Sequence, residues 1–414
     1  MRSLSEELRP AGGGRALASA QTRTEVGIVG AGPAGLMLAH LLANAGIESV
    51  VIDNRTRAAI EATHRAGILE DRNMRLLVES GASDRILRHG SKHAGIDLRF
   101  GGHSHRIDFS ALVGAAVWLY PQTEIFADLA DARERNGGDV RFGVTDTRLV
   151  DPAGDRPAMS FTDSDGHARE VRCEVIVGAD GSRGVCRSAM PTARRTFFHR
   201  AYPFAWFGVL VAAPPSAAEL VYAHSDRGFA LISQRTPSLQ RMYFQCDPDE
   251  DVSRWPDDRI WDELQARVRG ADDFALREGP ITDKSVLPFR SFVCEPMRHG
   301  GLVLAGDAAH TVPPTGAKGL NLALADARIL ADVVERAIRT GDREVLDEYG
   351  PRALAGVWRA QYFSYWMTTM LHRAPDATAF DLHRQRAELR AVANSAAGAT
   401  FLAEGYTGLG SSSG

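Results

Sequence analysis

A short apolar run, Glu25-Val26-Gly27-Ile28-Val29-Gly30, leads directly into Gly30-Ala31-Gly32-Pro33-Ala34-Gly35. This G-x-G-x-x-G opens a helix-like stretch, Ala34 to Ala45, which Gly46 stops. A second apolar run, Glu48 to Asp53, completes a βαβ unit. The apolar runs suit buried parallel strands. The glycines permit a tight turn and let the backbone approach a pyrophosphate, while the helix N-terminus offers free N–H groups and the positive end of its dipole. Asp53 ends the second strand, where a carboxylate can hold a ribose hydroxyl pair.

The rest of the chain fits an α/β protein with a Rossmann-type domain, an interleaved, mostly antiparallel sheet domain and a helical C-terminal region. Residues 70–80 and 123–136 read as helices, and 140–179 as strands ending in Val175-Ile176-Val177-Gly178. From Phe204 to Gln245 the pattern alternates with period 2 between short turns, as in an antiparallel sheet. Residues 257–269 read as a helix, Leu302 to Ala305 as a strand, Leu320 to Ile338 as a helix and 344–395 as largely helical. The domain boundaries follow: 1–22 a flexible extension, 23–200 the first nucleotide-binding part, 201–292 the substrate sheet, 293–340 the second nucleotide-binding part, 341–410 the helical region and 411–414 a tail.

Composition excludes several classes. Lys plus Arg is 48 against 52 Asp plus Glu, a net charge of −4 that does not suit nucleic-acid binding. No apolar run approaches the ~18 residues of a membrane helix, and the N-terminus lacks the apolar centre of a secretory signal. Cys173, Cys186, Cys246 and Cys294 show no CxxC spacing, so a disulfide framework is not expected and a reducing cytoplasm is. His89, His93, His103 and His105 lack the spacing of metal ligands, and no metal is expected.

Two further strand ends carry an acid. Gly178-Ala179-Asp180-Gly181 is followed by Arg183 and Arg187. Gly306-Asp307-Ala308-Ala309-His310 precedes a Gly-rich loop, Pro313-Pro314-Thr315-Gly316-Ala317-Lys318-Gly319-Leu320-Asn321, which enters a helix. A second acidic loop of this kind serves a cofactor as long as FAD, whose adenosine and flavin halves are held by distant segments.

In this order the three stretches resemble the single-component FAD-dependent aromatic hydroxylases. The resemblance sharpens at His64-Arg65-Ala66-Gly67-Ile68-Leu69-Glu70, Tyr202-Pro203-Phe204, Arg227-Gly228-Phe229-Ala230, Ser233-Gln234-Arg235, Leu287-Pro288-Phe289-Arg290-Ser291-Phe292 and the Val312–Asn321 loop. These look like the branch that hydroxylates 4-hydroxybenzoate at the 3-position, and the likeness runs from about Thr24 to Gly408.

The resemblance implies an enzyme that uses NADPH or NADH and O2, by way of a flavin C4a-hydroperoxide, to make 3,4-dihydroxybenzoate. An alternative is the same chemistry on another hydroxy- or aminobenzoate. It places Ser233, Arg235 and Tyr243, with Gln234 between, at the substrate carboxylate, where an arginine fork suits the planar acid. It places Tyr222 and the backbone carbonyl of Pro314 at the phenol, Tyr406 behind Tyr222, and His93 at the outer end of a proton relay to solvent. For FAD it carries contacts onto Gly30, Gly32, Ala34, Gly35, Asp53, the stretch Thr63, His64, Arg65, Ala66, Gly67 and Ile68, then Gln122, Asp180, Asp307, Leu320 and Asn321. Arg241 and Lys318 are expected near the flavin, Lys318 adding positive potential. Arg55, Arg65, Arg183, Arg187 and Arg290 are candidates for NAD(P)H. The chain departs from the arginine- and tyrosine-bearing members after Asp53, where it reads Asn54-Arg55 with Ala59 and Thr63 further on, and a motif histidine is Arg183 here. Weaker discrimination in favour of NADPH is therefore expected. The family is commonly homodimeric, and Trp358, Tyr362, Phe363 and Trp366 suit either a core or an interface.

Overall fold

The computed structural model describes residues 20–63 and 67–409. Its central six-stranded sheet places Val26–Val29 between Val175–Gly178 and Ser49–Asp53, with Leu302–Leu304 and Asp139–Phe142 outside them, all parallel. Arg298–His299 adds an antiparallel edge. The helices Pro33–Asn44 and Gly319–Thr340 pack on this sheet, and the strands between are buried on both faces. Continuous apolar runs, with no alternation, are what such strands require.

The second large sheet has eight strands. Thr196–Val211, Leu239–Cys246, Gly228–Thr236 and Leu220–Ser225 are joined antiparallel, and Ile281–Glu295 flanks them. Gly95–Phe100 and His103–Asp108 complete the far edge, Gly95–Phe100 running parallel to Leu220–Ser225. These two strands lie within 23–200, the stretch expected to bind nucleotide. A polar hairpin such as His103-Ser104-His105-Arg106 declares a strand but not which sheet takes it.

The sheet has two apolar faces. One carries Val221, Ala230, Ile232, Met242 and Phe244 under the helix Asp257–Val268. The other carries Tyr222, Phe229, Leu231, Tyr243 and Trp206 under the helices Tyr349–Leu371, Ala379–Asn394 and Ala396–Thr407. Period-2 alternation separates the two sets strand by strand.

One boundary needs correcting. The strand Ala20–Arg23 pairs in parallel with Ala168–Arg172, so order begins within the stretch 1–22 read as a flexible extension. A backbone ladder supplies what the side chains lack. Residues 1–19 and 410–414 lie outside the described residues. Among the described residues no helix is long and apolar enough to cross a membrane.

Candidate active site

The three glycine motifs converge at the ends of adjacent parallel strands. Gly30 has φ +110°, and a Cβ there would lie 2.2 Å from the Ala179 carbonyl, so the first motif packs backbone to backbone on the second. A Cβ on Gly35 would lie 2.0 Å from the Gly30 carbonyl, whereas one on Gly32 would meet nothing within 4 Å. Gly32 is the N-cap of Pro33–Asn44 without a side-chain cap, so the first N–H groups of that helix face open space beside Ala34. The helix Gly319–Thr340 likewise begins without a side-chain cap, and Gly319 is open. Two uncapped N-termini at neighbouring strand ends form the cradle that a long, doubly anionic cofactor fits.

Asp53 is buried and accepts from Ala31 N–H at 2.8 Å. Arg55 closes on the same carboxylate through Nε and Nη2, at 3.1 and 3.0 Å. Asp180 accepts from Cys186 N–H at 2.9 Å, and burial raises its pKa. Arg187 donates to the carbonyls of Ala308 and Ser182, tying the second motif to the third, which bears Asp307. Arg183 and Arg290 are exposed, and neither they nor Arg187 forms an ion pair among the described residues. Arg57 is enclosed by Glu61, Asp131 and Glu134. Thr63 is exposed and bonds back to the Ala59 carbonyl, while His64, Arg65 and Ala66 lie outside the described residues. Gly67 packs against Tyr120 and Gln122, where a Cβ would strike the Tyr120 carbonyl.

The Gly-rich loop before Gly319 is held by two buried side chains. Asn321 uses its whole amide. Oδ1 accepts from Glu70 N–H and Asn73 Nδ2, and Nδ2 donates to the carbonyls of Ile68 and Ala317. Leu320 is half-buried beside it. Lys318 donates to Glu70 Oε1 at 2.7 Å and to the Tyr406 carbonyl at 2.9 Å. Burial lowers the Lys318 pKa against the pull of Glu70, and Lys318 with Arg72 holds the Glu70 carboxyl below its usual range despite its burial. The positive potential expected from Lys318 is thus answered at contact by a carboxylate. Glu70 escaped the sequence reading because it ends the quoted motif, and the partner that gives it a role lies 248 residues away.

On the inner face of the eight-stranded sheet, Tyr222 and Tyr243 both pair with Leu231, on opposite sides. Ser233 follows two residues on and shares that face, while Arg235 falls where the pairing with Leu239–Cys246 shifts register and stands within electrostatic reach of Arg241 and Tyr243. Ser233 Oγ donates to the Arg241 carbonyl at 2.9 Å. Arg235 Nη1 is buried without a protein partner. Burial, then the nearby Arg241, works against the Arg235 charge. A guanidinium in that position fits an anion. Arg241 lies over the Tyr243 ring at 5.1 Å. The Tyr243 ring has its space because residue 208 opposite is glycine.

At the other end, Tyr222 and Tyr406 are both 1% exposed, their hydroxyls 2.7 Å apart. Burial pushes both phenols above their usual pKa. Tyr222 also donates to the Thr315 carbonyl at 3.3 Å, one residue beyond Pro314, whose own carbonyl accepts from Ala317 N–H. His93 departs from expectation. It is buried, its Nε2 lies 3.0 Å from Gln234 Nε2, and burial lowers its pKa to about 4. It forms no hydrogen bond to Tyr406 among the described residues. Strand Ser91–His93 pairs with Val117–Leu119 and is thereby drawn inward, which a loop-like sequence around His93 did not reveal.

Fold and site together define a flavin-dependent aromatic monooxygenase. The chain matches the family model described as "FAD binding domain" over residues 23–364 and belongs to that family. It is 42% identical over 388 residues to the p-hydroxybenzoate hydroxylase of Acinetobacter baylyi, covering 94% of this chain and 96% of that one. It is 27% identical to a 3-(3-hydroxy-phenyl)propionate/3-hydroxycinnamic acid hydroxylase of Mycobacterium avium, over 79% of this chain and 57% of that longer protein. Among solved structures, p-nitrophenol 4-monooxygenase PnpA of Pseudomonas putida superposes with a TM-score of 0.79 at 20% identity, covering 93% of this chain and 99% of that one. The cofactor is FAD, with a nicotinamide coenzyme as reductant.

Two outcomes are expected from this geometry. Gly35→Ala forces a Cβ into backbone and is expected to cost about 3 kcal/mol of stability in denaturant melts. Gly32→Ala, with open space before it, is expected to keep that stability yet to weaken FAD binding about tenfold by flavin fluorescence titration. Separately, Lys318→Met removes one of the two cations on the buried Glu70 carboxylate and leaves Arg72 as its remaining ionic partner, and is expected to cost about 2 kcal/mol. Adding Glu70→Gln is expected to recover most of that loss, which a double-mutant cycle of melts measures.

Proposed function

We propose that this protein hydroxylates 4-hydroxybenzoate at the carbon beside its hydroxyl, giving 3,4-dihydroxybenzoate. The observation that carries the reading is a half-buried guanidinium, Arg235, whose buried Nη1 has no protein partner among the described residues, together with a buried hydroxyl pair, Tyr222 and Tyr406, on the same sheet. Bound FAD supplies the oxygen transfer, once reduced by the coenzyme and supplied with O2.

The side chains supply position and proton control. Arg235, with Ser233 and Tyr243, grips the carboxylate and sets which ring carbon faces the flavin. A phenol titrates near ~10 and is a poor nucleophile at neutral pH, whereas its phenolate enriches the ortho carbon. Tyr222 faces the phenol and passes a proton toward Tyr406. Because burial raises both tyrosine pKa values, neither stores a charge, and the pair conducts without trapping the proton. This face of the sheet lies under the C-terminal helices, whose apolar packing excludes bulk water from it.

Charge placement also supports a relaxed coenzyme choice. Arg55 is spent on Asp53 and Arg57 on three carboxylates, so neither is free for a 2′-phosphate. Arg183, Arg187 and Arg290 remain for the pyrophosphate. A homodimer is part of the same proposal. Trp358 and Tyr362 are 43% and 60% exposed, and Phe198 packs edge-on against Trp358. Phe363, 3% exposed, and the half-buried Trp366 belong to the core side of that helix. The cysteines are free thiols, which suits a reducing cytoplasm.

The decisive assay is 4-hydroxybenzoate-stimulated NAD(P)H oxidation by the flavin-loaded protein, with product identification. Formation of 3,4-dihydroxybenzoate in step with oxidation supports the reading, and oxidation that yields only hydrogen peroxide with this acid overturns its substrate. Tyr222→Phe is expected to retain FAD and the acid but to lose most coupled hydroxylation, and unchanged coupling would remove its proton role. Arg235→Ala is expected to raise the acid's dissociation constant about a hundredfold, in line with loss of a charged bidentate contact of ~3 kcal/mol. For the coenzymes, kcat/KM values for NADH and NADPH are expected to lie within about tenfold of each other, equivalent to ~1.4 kcal/mol. A hundredfold NADPH preference would contradict the charge argument.

A further inference from the structure

The helix Tyr349–Leu371 ends at His372, a buried residue that the mechanism above leaves without a task. Its Nδ1 lies 2.9 Å from the Thr368 carbonyl, which can only accept. Its Nε2 lies 2.7 Å from the indole Nε1 of Trp206, which can only donate. The two partners therefore fix one tautomer, with Nδ1 protonated and Nε2 bare. A second ring proton would set N–H against N–H, and burial accordingly lowers the His372 pKa to about 3.

The ring is also fixed in place. Phe204 stacks on it at 4.7 Å with planes 9° apart, and Phe229 lies 4.3 Å away. Gln385 donates to the His372 carbonyl. From this anchor, contact runs to the substrate cavity. The Trp206 ring lies 4.7 Å from the ring of Tyr243, which stands within electrostatic reach of Arg235. With glycine at 208, no neighbouring side chain on that strand position limits the tilt of Tyr243, and Trp206 is the wall that does.

We propose that His372 is a positioning residue for the substrate acid: its bare Nε2 holds the Trp206 indole, and Trp206 sets Tyr243 beside Arg235. Loss of the acceptor would strand a buried indole N–H, which is costly enough to move the ring. The inference rests on the functional reading above, and it goes further by assigning substrate affinity to a residue outside the cavity.

The test titrates the flavin-loaded protein with 4-hydroxybenzoate, following the visible flavin spectrum, and measures KM and kcat. If the wild-type protein fails to bind the acid, the functional reading falls. If it binds, His372→Leu is expected to raise the dissociation constant and KM about tenfold with kcat changed less than about threefold. His372→Gln, which can still accept from the indole, is expected to stay within about threefold of wild type. Trp206→Phe is expected to match His372→Leu, and the double variant to be no worse than the weaker-binding single one. Wild-type affinity in His372→Leu, or losses that multiply in the double variant, would overturn the proposal. Should His372→Leu not retain flavin, Trp206→Phe decides: weakened binding there with near-normal His372→Gln supports the assignment, and unchanged binding in Trp206→Phe refutes it.

Discussion

An ammonium group buried between a carboxylate and a carbonyl joins the two halves of this site. Lys318 stands at the entry of the helix Gly319–Thr340, takes Glu70 from the first nucleotide-binding part, and donates to the Tyr406 carbonyl near the end of the chain. That bond adds a directional constraint to the helix Ala396–Thr407, whose other buried contacts are mostly apolar and fix rotation poorly. With it, the Tyr406 hydroxyl meets Tyr222 at 2.7 Å. Such an ion pair adds little net stability, because both ions pay desolvation. Its worth lies in register, since an unpaired partner in a dry interior is far worse than a paired one.

The cavity applies the same logic with opposite intent. Around Lys318 and Asn321 every strong donor has a protein partner, and the loop is fixed. At Arg235 one donor is left buried with none, and a second cation, Arg241, stands nearby. Fold stability alone would favour a carboxylate there. In the proposed function the substrate would supply that anion, which would concentrate the binding energy at the end of the ring remote from the chemistry. At the other end stand Tyr222 and Tyr406, hydroxyls that burial makes resist ionisation, as the proposed proton transfer would require.

Much of this was legible in the chain because the signals are local. Gly30 to Gly35, Asp53 and the Gly306–Asn321 loop lie at strand ends whose spacing is set by the βαβ unit, and the structure brings them to one place. Ser233 and Tyr243 share a face because strand periodicity requires it, whereas Arg235 falls where the pairing shifts register. What stayed hidden depends on long-range pairing. The strand Ala20–Arg23 is ordered by a ladder to Ala168–Arg172, and Gly95–Asp108 joins the substrate sheet through contacts more than a hundred residues away. The resemblance put His93 at the solvent end of a proton relay, whereas the structure buries it. Its burial is decided by Val117 and Gln234, which no local pattern names.

Charge is where reading a sequence and reading a structure diverge most. Arg55 and Arg57 stand next to the ribose-binding acid and count as positive charge in any tally. Folding spends them: one closes on Asp53, the other is surrounded by Glu61, Asp131 and Glu134. Their field at a few ångströms is largely cancelled, and at the Debye length of ~8 Å nothing useful remains for a phosphate. Arg183, Arg187 and Arg290 are less conspicuous in the chain yet form no ion pair among the described residues, Arg183 and Arg290 being exposed and Arg187 half-buried on the carbonyls of Ala308 and Ser182. In the proposed function the coenzyme would meet the arginines that folding left without a carboxylate, and selectivity for a 2′-phosphate would follow from the acids that surround a basic residue as much as from the basic residue itself.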